Sequence, residues 1–163
     1  MGTPGAGPAD TSTVVIGIDG SGTSRAAFSW ACGEARRTGG RAVAVFISRA
    51  AGAATAAVCT GAGFFAVGYP VPDPGTRQPV EEQAIEVLAE MLHEAAGLSL
   101  AVIHAPGDPV AELLRIAREV HADLIVVGGS AAIPHRRADS LGRRLAARAR
   151  DPVVVIVPTH LTA

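Results

Sequence analysis

Short apolar runs alternate along this chain with segments in which apolar residues recur every three or four positions. The runs are rich in Val and Ile and are bounded by turn residues, a pattern typical of buried parallel strands. They predict five strands, over Thr13–Ile18, Arg41–Ser48, Leu98–His104, Leu124–Val127 and Val153–Val157. The helical spacing between the runs predicts four helices, over Arg25–Thr38, Val80–Ala96, Pro109–His121 and Ala138–Arg150.

Local signals mark where several of these elements begin and end. Ser24 is the predicted N-cap of the first helix, and Gly39 with Gly40 ends it. Asp108 is the predicted N-cap of the third helix, with Pro109 at its first position. The segment Arg49–Pro79 is rich in Ala, Gly and Pro and is predicted to be a long loop. Two interpretations of it stay open: a mobile surface excursion, or a lid or dimer contact.

Strict alternation of strand and helix predicts an α/β fold, a parallel sheet with helices on both faces. Right-handed crossovers with one reversal of winding give a flavodoxin-like or half-Rossmann sheet, whose ligand crevice lies at the reversal. The first and fourth strands flank that point, so we expect Asp19 and Gly128–Ala132 to lie side by side.

Length and composition narrow the class of protein. The chain has 163 residues and a net charge of −1, which predicts one domain and argues against a nucleic-acid or membrane partner. We expect a disordered leader over 1–12, a domain over 13–158 and a tail over 159–163. No apolar run reaches membrane-spanning length, and Cys32 and Cys59 are not spaced as a metal pair. We therefore expect a cytoplasmic protein with ordinary thiols.

The opening Val14-Val-Ile-Gly-Ile-Asp-Gly-Ser21 with its Ala-rich helix resembles that of the universal stress protein family. Gly107-Asp108-Pro109 is similar to the family's G-x-P turn, and the stretches Ala122–Ser130 and Asp151–Val157 also look like it. The resemblance runs from Thr13 to Pro158. It implies the adenine nucleotide alpha hydrolase-like fold, a five-stranded parallel sheet in the order 3-2-1-4-5, and a homodimer formed through the last strands.

ATP-binding members of that family carry G-x-x-G, nine residues, then G-[ST] after the fourth strand. This chain keeps the spacing and has Gly129 and Gly142, but Ala132 replaces the second glycine and Arg143 replaces Ser or Thr. Ala132 adds a Cβ where the backbone approaches phosphate. Arg143 lacks the hydroxyl, yet its guanidinium can form a charge-assisted bond to the same anion.

The resemblance implies ATP or AMP as ligand, with Mg²⁺ accompanying ATP. It places Asp19 at the adenosine end, Ile18 and Ile47 beside the base, and Gly128, Ser130 and Arg144 around the phosphate loop. For three of these residues a purely structural role remains open. Asp19 is also typical of a residue that bonds its own loop amides, and Ile18 and Ile47 of plain core packing.

One dense basic cluster lies near this loop. It comprises His135, Arg136, Arg137, Arg143, Arg144, Arg148 and Arg150. The cluster is either an anion site at the crevice or a solvated helix face, and the latter is favoured for Arg148 and Arg150 at the helix C-terminus.

The catalytic signals of common enzyme classes are missing from the sequence. There is no G-x-S-x-G, H-E-x-x-H or P-loop lysine motif, and the chain has no lysine. His104 lies near the carboxyl edge but is alone there, as a structural histidine often is. We therefore expect no enzyme. The first hypothesis is a stress-response regulatory module that binds nucleotide, the second a dimeric protein-interaction module without nucleotide, and the third a nucleotide enzyme.

Overall fold

The structure, a computed structural model, describes residues 12–19, 21–48, 55–60, 63–67, 89–129 and 141–158. The predicted tail and all but residue 12 of the predicted leader lie outside these ranges. The elements follow in this order: β1 Thr13–Ile18, α1 Gly22–Thr38, β2 Arg41–Ser48, β3 Thr55–Thr60, β4 Gly63–Val67, α2 over 89–94, β5 Ser99–Pro106, α3 Pro109–Glu119, β6 Leu124–Gly129, α4 Leu141–Arg148 and β7 Val153–Pro158.

The strands form one sheet in the order β4-β3-β5-β2-β1-β6-β7. The five strands predicted from sequence are all parallel and lie in the order 3-2-1-4-5, as the resemblance implied. The residues in the middle of the central strands are buried, because helices cover both faces of the sheet. This confirms the predicted fold class.

Two further strands correct the prediction of a long loop over Arg49–Pro79. β3 pairs antiparallel with β5, and β4 pairs antiparallel with β3. They extend the sheet on its β5 side, so part of this segment is neither a mobile excursion nor a lid. The physical signal was present but weak: two short runs containing Val, Thr and Phe are separated by two residues, Gly61 and Ala62, a hairpin spacing.

The core consists of one layer on each face of the sheet. On one face, Phe28 and the small residues of α1 pack with Met91 of the α2 region against the even-numbered positions of β1. On the other face, Leu113 of α3 and Leu145 of α4 pack against Val15 and Val127. Small side chains let α1 lie close on the sheet, as its narrow alanine stripe predicted.

The start of α1 differs from the prediction. The helix begins at Gly22 and its N-cap is Ser21, whose Oγ accepts a hydrogen bond from the Ser24 amide at 3.2 Å. Ser24 lies in the first turn, where its hydroxyl donates to the Ser21 carbonyl oxygen at 2.9 Å. Both serines suit a cap, but only Ser21 stands three residues before an amide that needs an acceptor.

Most other helix boundaries agree with the sequence signals. Gly39 takes a left-handed conformation with φ 64°, and its amide and that of Gly40 close the end of α1. Asp108 caps α3 through a 3.0 Å bond from the Ala111 amide to its Oδ1, and Pro109 is the first helical residue. The last helix ends at Arg148, two residues before its predicted end, and the first residues predicted for it, 138–140, lie outside the described ranges.

Candidate functional site

The pairing of β1 with β6 ends before the carboxyl edge of the sheet, and this is where a ligand cleft is expected in such a fold. The pairing of these two strands runs from Val14–Leu124 to Ile16–Val126. Beyond that point, within the described residues, each strand continues only with its outer neighbour: β1 with β2 as far as Ile18, and β6 with β7 as far as Gly129. This is the reversal of winding that the sequence predicted as a ligand crevice, and we name it the carboxyl-edge cleft.

Asp19 follows β1 at the rim of this cleft. Its Oδ1 accepts a hydrogen bond from the Ser21 amide at 2.9 Å. Burial by itself would raise the pKa of Asp19, but hydrogen bonds from Ser21 and Ser24 outweigh it and lower the pKa below its ordinary value. Asp19 is therefore a carboxylate at neutral pH. It bonds an amide of its own loop, as the structural alternative predicted. A carboxylate accepts hydrogen bonds through both oxygens, so its chemistry suits a ligand hydroxyl.

Gly128 brings the first turn of α1 against the end of β6. A Cβ at this position would lie 2.5 Å from the carbonyl carbon and oxygen of Thr23 and 2.8 Å from the Ser24 nitrogen. These are backbone atoms, so no side-chain rotation could relieve the contact. Because the glycine is required by packing, the N-terminus of α1 reaches the cleft together with the end of β6.

Gly128 and Gly129 lie in β6 and not in the loop that the sequence predicted to begin there. Gly128 pairs with Val157 and Gly129 with Pro158, because the parallel register with β7 continues to the end of both strands. A Cβ on Gly129 would lie 3.1 Å from Ile156 Cγ2. The space that a side chain would need is thus filled by α1 at Gly128 and by β7 at Gly129, and a part for either glycine in phosphate binding stays a prediction.

Gly142 lies in the first turn of α4 and faces Ile156 of β7. A Cβ there would lie 2.6 Å from Ile156 Cδ1 and 2.7 Å from Ile156 Cγ1. Close packing of α4 on β7 therefore accounts for this glycine without any ligand. Its predicted part in a phosphate loop stays a prediction.

Arg143 and Arg144 follow Gly142 on α4. Arg143 is exposed, and Arg144 is half-exposed and donates from one terminal guanidinium nitrogen to Asp108 Oδ2 at 3.2 Å. The Ala111 amide, and with it the Arg144 guanidinium, lowers the pKa of Asp108. Arg144 thus ties the start of α4 to the start of α3. The sequence identified both residues separately, but their pairing across 36 positions gave no local signal.

The two isoleucines predicted beside a base lie on opposite faces of the sheet. Ile18 is 5% exposed and packs in the core layer under α1. Ile47 is partly buried and packs with the layer under α3. Core packing, the alternative considered from sequence, describes both; contact with a base stays a prediction.

Several predicted residues lie outside the described ranges. They are Ser130, Ala132, His135, Arg136 and Arg137. Among the described residues, no group of three or more His, Cys, Asp or Glu side chains could hold a metal ion. No helix in the described part of the chain is long and apolar enough to cross a membrane.

Comparison with known proteins places these features in context. A model of the universal stress protein family matches residues 11–157. No curated protein matches the sequence significantly. Solved structures match across almost the whole chain at low sequence identity, and therefore show the likeness of fold alone.

Three of those structures illustrate the likeness. A universal stress protein family member from Burkholderia pseudomallei has 24% identity and a TM-score of 0.62, with 93% of this chain and 100% of that chain covered. A universal stress protein in complex with cAMP has 24% identity and a TM-score of 0.58, with 91% and 97% covered. A family protein from Arabidopsis thaliana with AMP bound has 16% identity and a TM-score of 0.59, with 92% and 93% covered.

Proposed function

Since this chain belongs to the universal stress protein family, we propose that it is a cytoplasmic stress-response regulatory module that binds ATP or AMP in the carboxyl-edge cleft. The observation that carries this proposal is the reversal of winding between β1 and β6, whose pairing ends at Ile16 and Val126. Ligands of open α/β sheets bind outside the carboxyl ends of the strands at such a reversal. The cAMP and AMP complexes of structurally similar proteins support the choice of an adenine nucleotide.

The chemistry of the rim fits such a ligand. Arg143 and Arg144 offer guanidinium donors to phosphate oxygens, and the N-terminus of α1 adds a partial positive charge. Asp19 offers a carboxylate oxygen to ribose hydroxyls. Mg²⁺ would come as the companion of ATP, since this ion usually binds through phosphates together with one or two carboxylates.

The proposed activity is binding without turnover. Within the described residues, Asp19 and Asp108 at this edge each accept a hydrogen bond from a backbone amide and have a lowered pKa. A general base works best when its pKa lies near the working pH, so both are weak candidates. Bound nucleotide would act by ordering the cleft and not by being consumed.

We also propose that the protein forms a homodimer through β7. This strand is one of the two edges of the described sheet, and Val153 is 64% and Ile156 42% exposed. An exposed apolar edge strand favours pairing with a second strand. Analytical ultracentrifugation of the wild type and of Val153→Lys tests this: the dimer should be lost in the variant, and a monomeric wild type would refute it.

Isothermal titration calorimetry with ATP and with AMP tests nucleotide binding. A ligand at about 100 times its Kd stabilises a protein by about 2.7 kcal/mol, which for a chain of this size raises Tm by roughly 5–10 °C. We expect heat of binding and this thermal shift with at least one of the two nucleotides.

Absence of both signals at millimolar nucleotide would contradict the proposal and favour the module without nucleotide. The double variant Ala132→Gly with Arg143→Ser then tests the cause, because it restores the two family positions that this chain has changed. Steady release of ADP or phosphate over many turnovers would contradict the proposal that the nucleotide is not consumed, and would leave the proposal of binding intact.

A further inference from the structure

An ion pair joins α3 to α4, the two helices on one face of the sheet beside the cleft. Arg144 on α4 donates to Asp108, the N-cap of α3, at 3.2 Å. A Cβ on Gly17 would lie 3.2 Å from Leu113 Cδ1, so α3 lies over β1. Gly142 faces Ile156 and Val127, so α4 lies over β7 and β6. The ion pair therefore crosses from the β1 side to the β6 side at the edge where the cleft opens.

The ion pair between Arg144 and Asp108 contributes little to stability, so Arg144 can change its partner at low cost. The side chains of Arg144 and Asp108 are 40% and 46% exposed, and exposed ion pairs are weak. Asp108 also caps α3, because its other carboxylate oxygen accepts a hydrogen bond from the Ala111 amide. The α3 cap would thus remain intact if Arg144 turned away.

Among the described residues, the Arg144 guanidinium contacts Asp108 at 3.2 Å. The contact with Asp108 takes one terminal nitrogen of a guanidinium that carries five N–H donors. A phosphate accepts two parallel bonds from such a group, a stronger arrangement than a single bond to one carboxylate oxygen. A phosphate chain in the cleft would therefore compete well for this side chain.

We propose that Asp108 is an internal counter-ion that holds Arg144 in the nucleotide-free protein, and that the phosphate chain of the bound nucleotide takes Arg144 from it. This inference rests on the proposed nucleotide site and adds a regulatory element to it. Asp108 lowers nucleotide affinity, and Arg144 supplies specificity for nucleotides with longer phosphate chains. Release of Arg144 from α3 would also transmit occupancy of the cleft to the junction between α3 and α4.

The test is a titration of ATP and AMP into four forms of the full chain: wild type, Asp108→Asn, Arg144→Gln and the double variant. Asparagine is an equally good N-cap, so Asp108→Asn removes the counter-ion and keeps the cap. Asp108→Ser serves the same purpose if the first variant folds poorly. Circular dichroism of each form checks that the fold is intact.

A matched control comes from the other end of the same helix. Glu119 pairs with Arg115 at 2.6 Å, and Glu119→Gln changes the net charge as Asp108→Asn does. The two carboxylates lie about 16 Å apart along α3, well beyond the screening length of about 8 Å at physiological salt. This control should bind nucleotide as the wild type does.

The expected results are specific. Asp108→Asn should tighten ATP binding about two- to fivefold, the range that an exposed ion pair gives. Arg144→Gln should weaken ATP binding about tenfold and AMP binding less. The double variant should match Arg144→Gln, because Asp108 acts only through Arg144.

Other outcomes separate this inference from the proposed function. If the wild type binds nucleotide and Asp108→Asn binds it equally well, the counter-ion is refuted and the site stands. If only Asp108→Asn binds, the counter-ion is supported as an inhibitory contact, and binding by the wild type is refuted. If none of the forms binds, both are refuted.

Discussion

Gly142 and Ile156 are packed so closely that a Cβ on the glycine would lie 2.6 Å from Ile156 Cδ1. The contact joins the first turn of α4 to the edge strand β7. It gives a structural reason for a glycine that the sequence motif assigns to phosphate binding. The two explanations lead to different results when the glycine is replaced.

Gly142→Ala should destabilise the protein by about 1 kcal/mol. Overpacking against Ile156 costs about 1–3 kcal/mol, and the gain of about 1 kcal/mol in helix propensity offsets only part of it. In an Ile156→Ala background the same substitution should become stabilising, because both contacting atoms are gone. Urea unfolding of the four forms measures this. Unchanged stability together with lost nucleotide binding would mean that the glycine serves the ligand.

Gly128→Ala should be more damaging, because its Cβ would meet the backbone of Thr23 and Ser24 at 2.5–2.8 Å. We expect a loss of about 2–4 kcal/mol in the free energy of unfolding, typical of a severe steric conflict. Gly33→Ala is the matched control: nothing lies within 4 Å of its Cβ position on α1, so it should stabilise by about 0.5–1 kcal/mol. Equal effects of the two substitutions would contradict the close approach of α1 to β6.

Asp19 should contribute a pH-dependent part of the stability. Its folded pKa lies below its ordinary value of 3.8, so the contribution is present above that pH and is lost as pH falls through the folded pKa. Asp19→Asn should therefore be less stable than the wild type at neutral pH, and the difference should vanish in acid. Urea unfolding between about pH 7 and about pH 2 measures the difference. A constant difference over this range would show that the charge of Asp19 does not matter.

Cys32 should resist thiol reagents while the protein is folded. Burial, with a smaller contribution from Glu94, raises the pKa of this thiol to about 11. The reactive thiolate is therefore scarce at neutral pH, and the side chain is inaccessible. In a Cys59→Ala variant, labelling should be slow in buffer and fast in urea. Rapid labelling of the folded protein would contradict the buried position of Cys32.

The sequence predicted most of the fold because its signals are local. Val14–Ile16 and Ile125–Val127 are apolar runs bounded by turn residues, and all six residues are fully or almost fully buried. Alternation with helices then implies a parallel sheet. The strand order was implied only by the resemblance to a family, since pairing between distant strands leaves no mark in one sequence.

The errors share a physical cause. β3 and β4 were missed because glycine and alanine dilute their apolar pattern. The pairing of β3 with β5, and of β4 with β3, supplies what local preference lacks. Gly128 and Gly129 were predicted as loop because glycine weakens a strand, yet β7 holds them in register. The partner of Arg144 could not be found because it depends on how α3 and α4 pack together. Such contacts are set by tertiary structure and not by neighbours in sequence.

The most direct test of the central claim, nucleotide binding in the carboxyl-edge cleft, is an NMR titration of the isotopically labelled protein with ATP. The amide signals of Asp19, Ser21 and Gly129, which lie at the cleft, should shift on binding. Those of Gly40 and Asp123, at the opposite edge of the sheet, should not move. Saturable shifts at the cleft alone would confirm the site; shifts at the opposite edge alone, or none at saturating ATP, would contradict it.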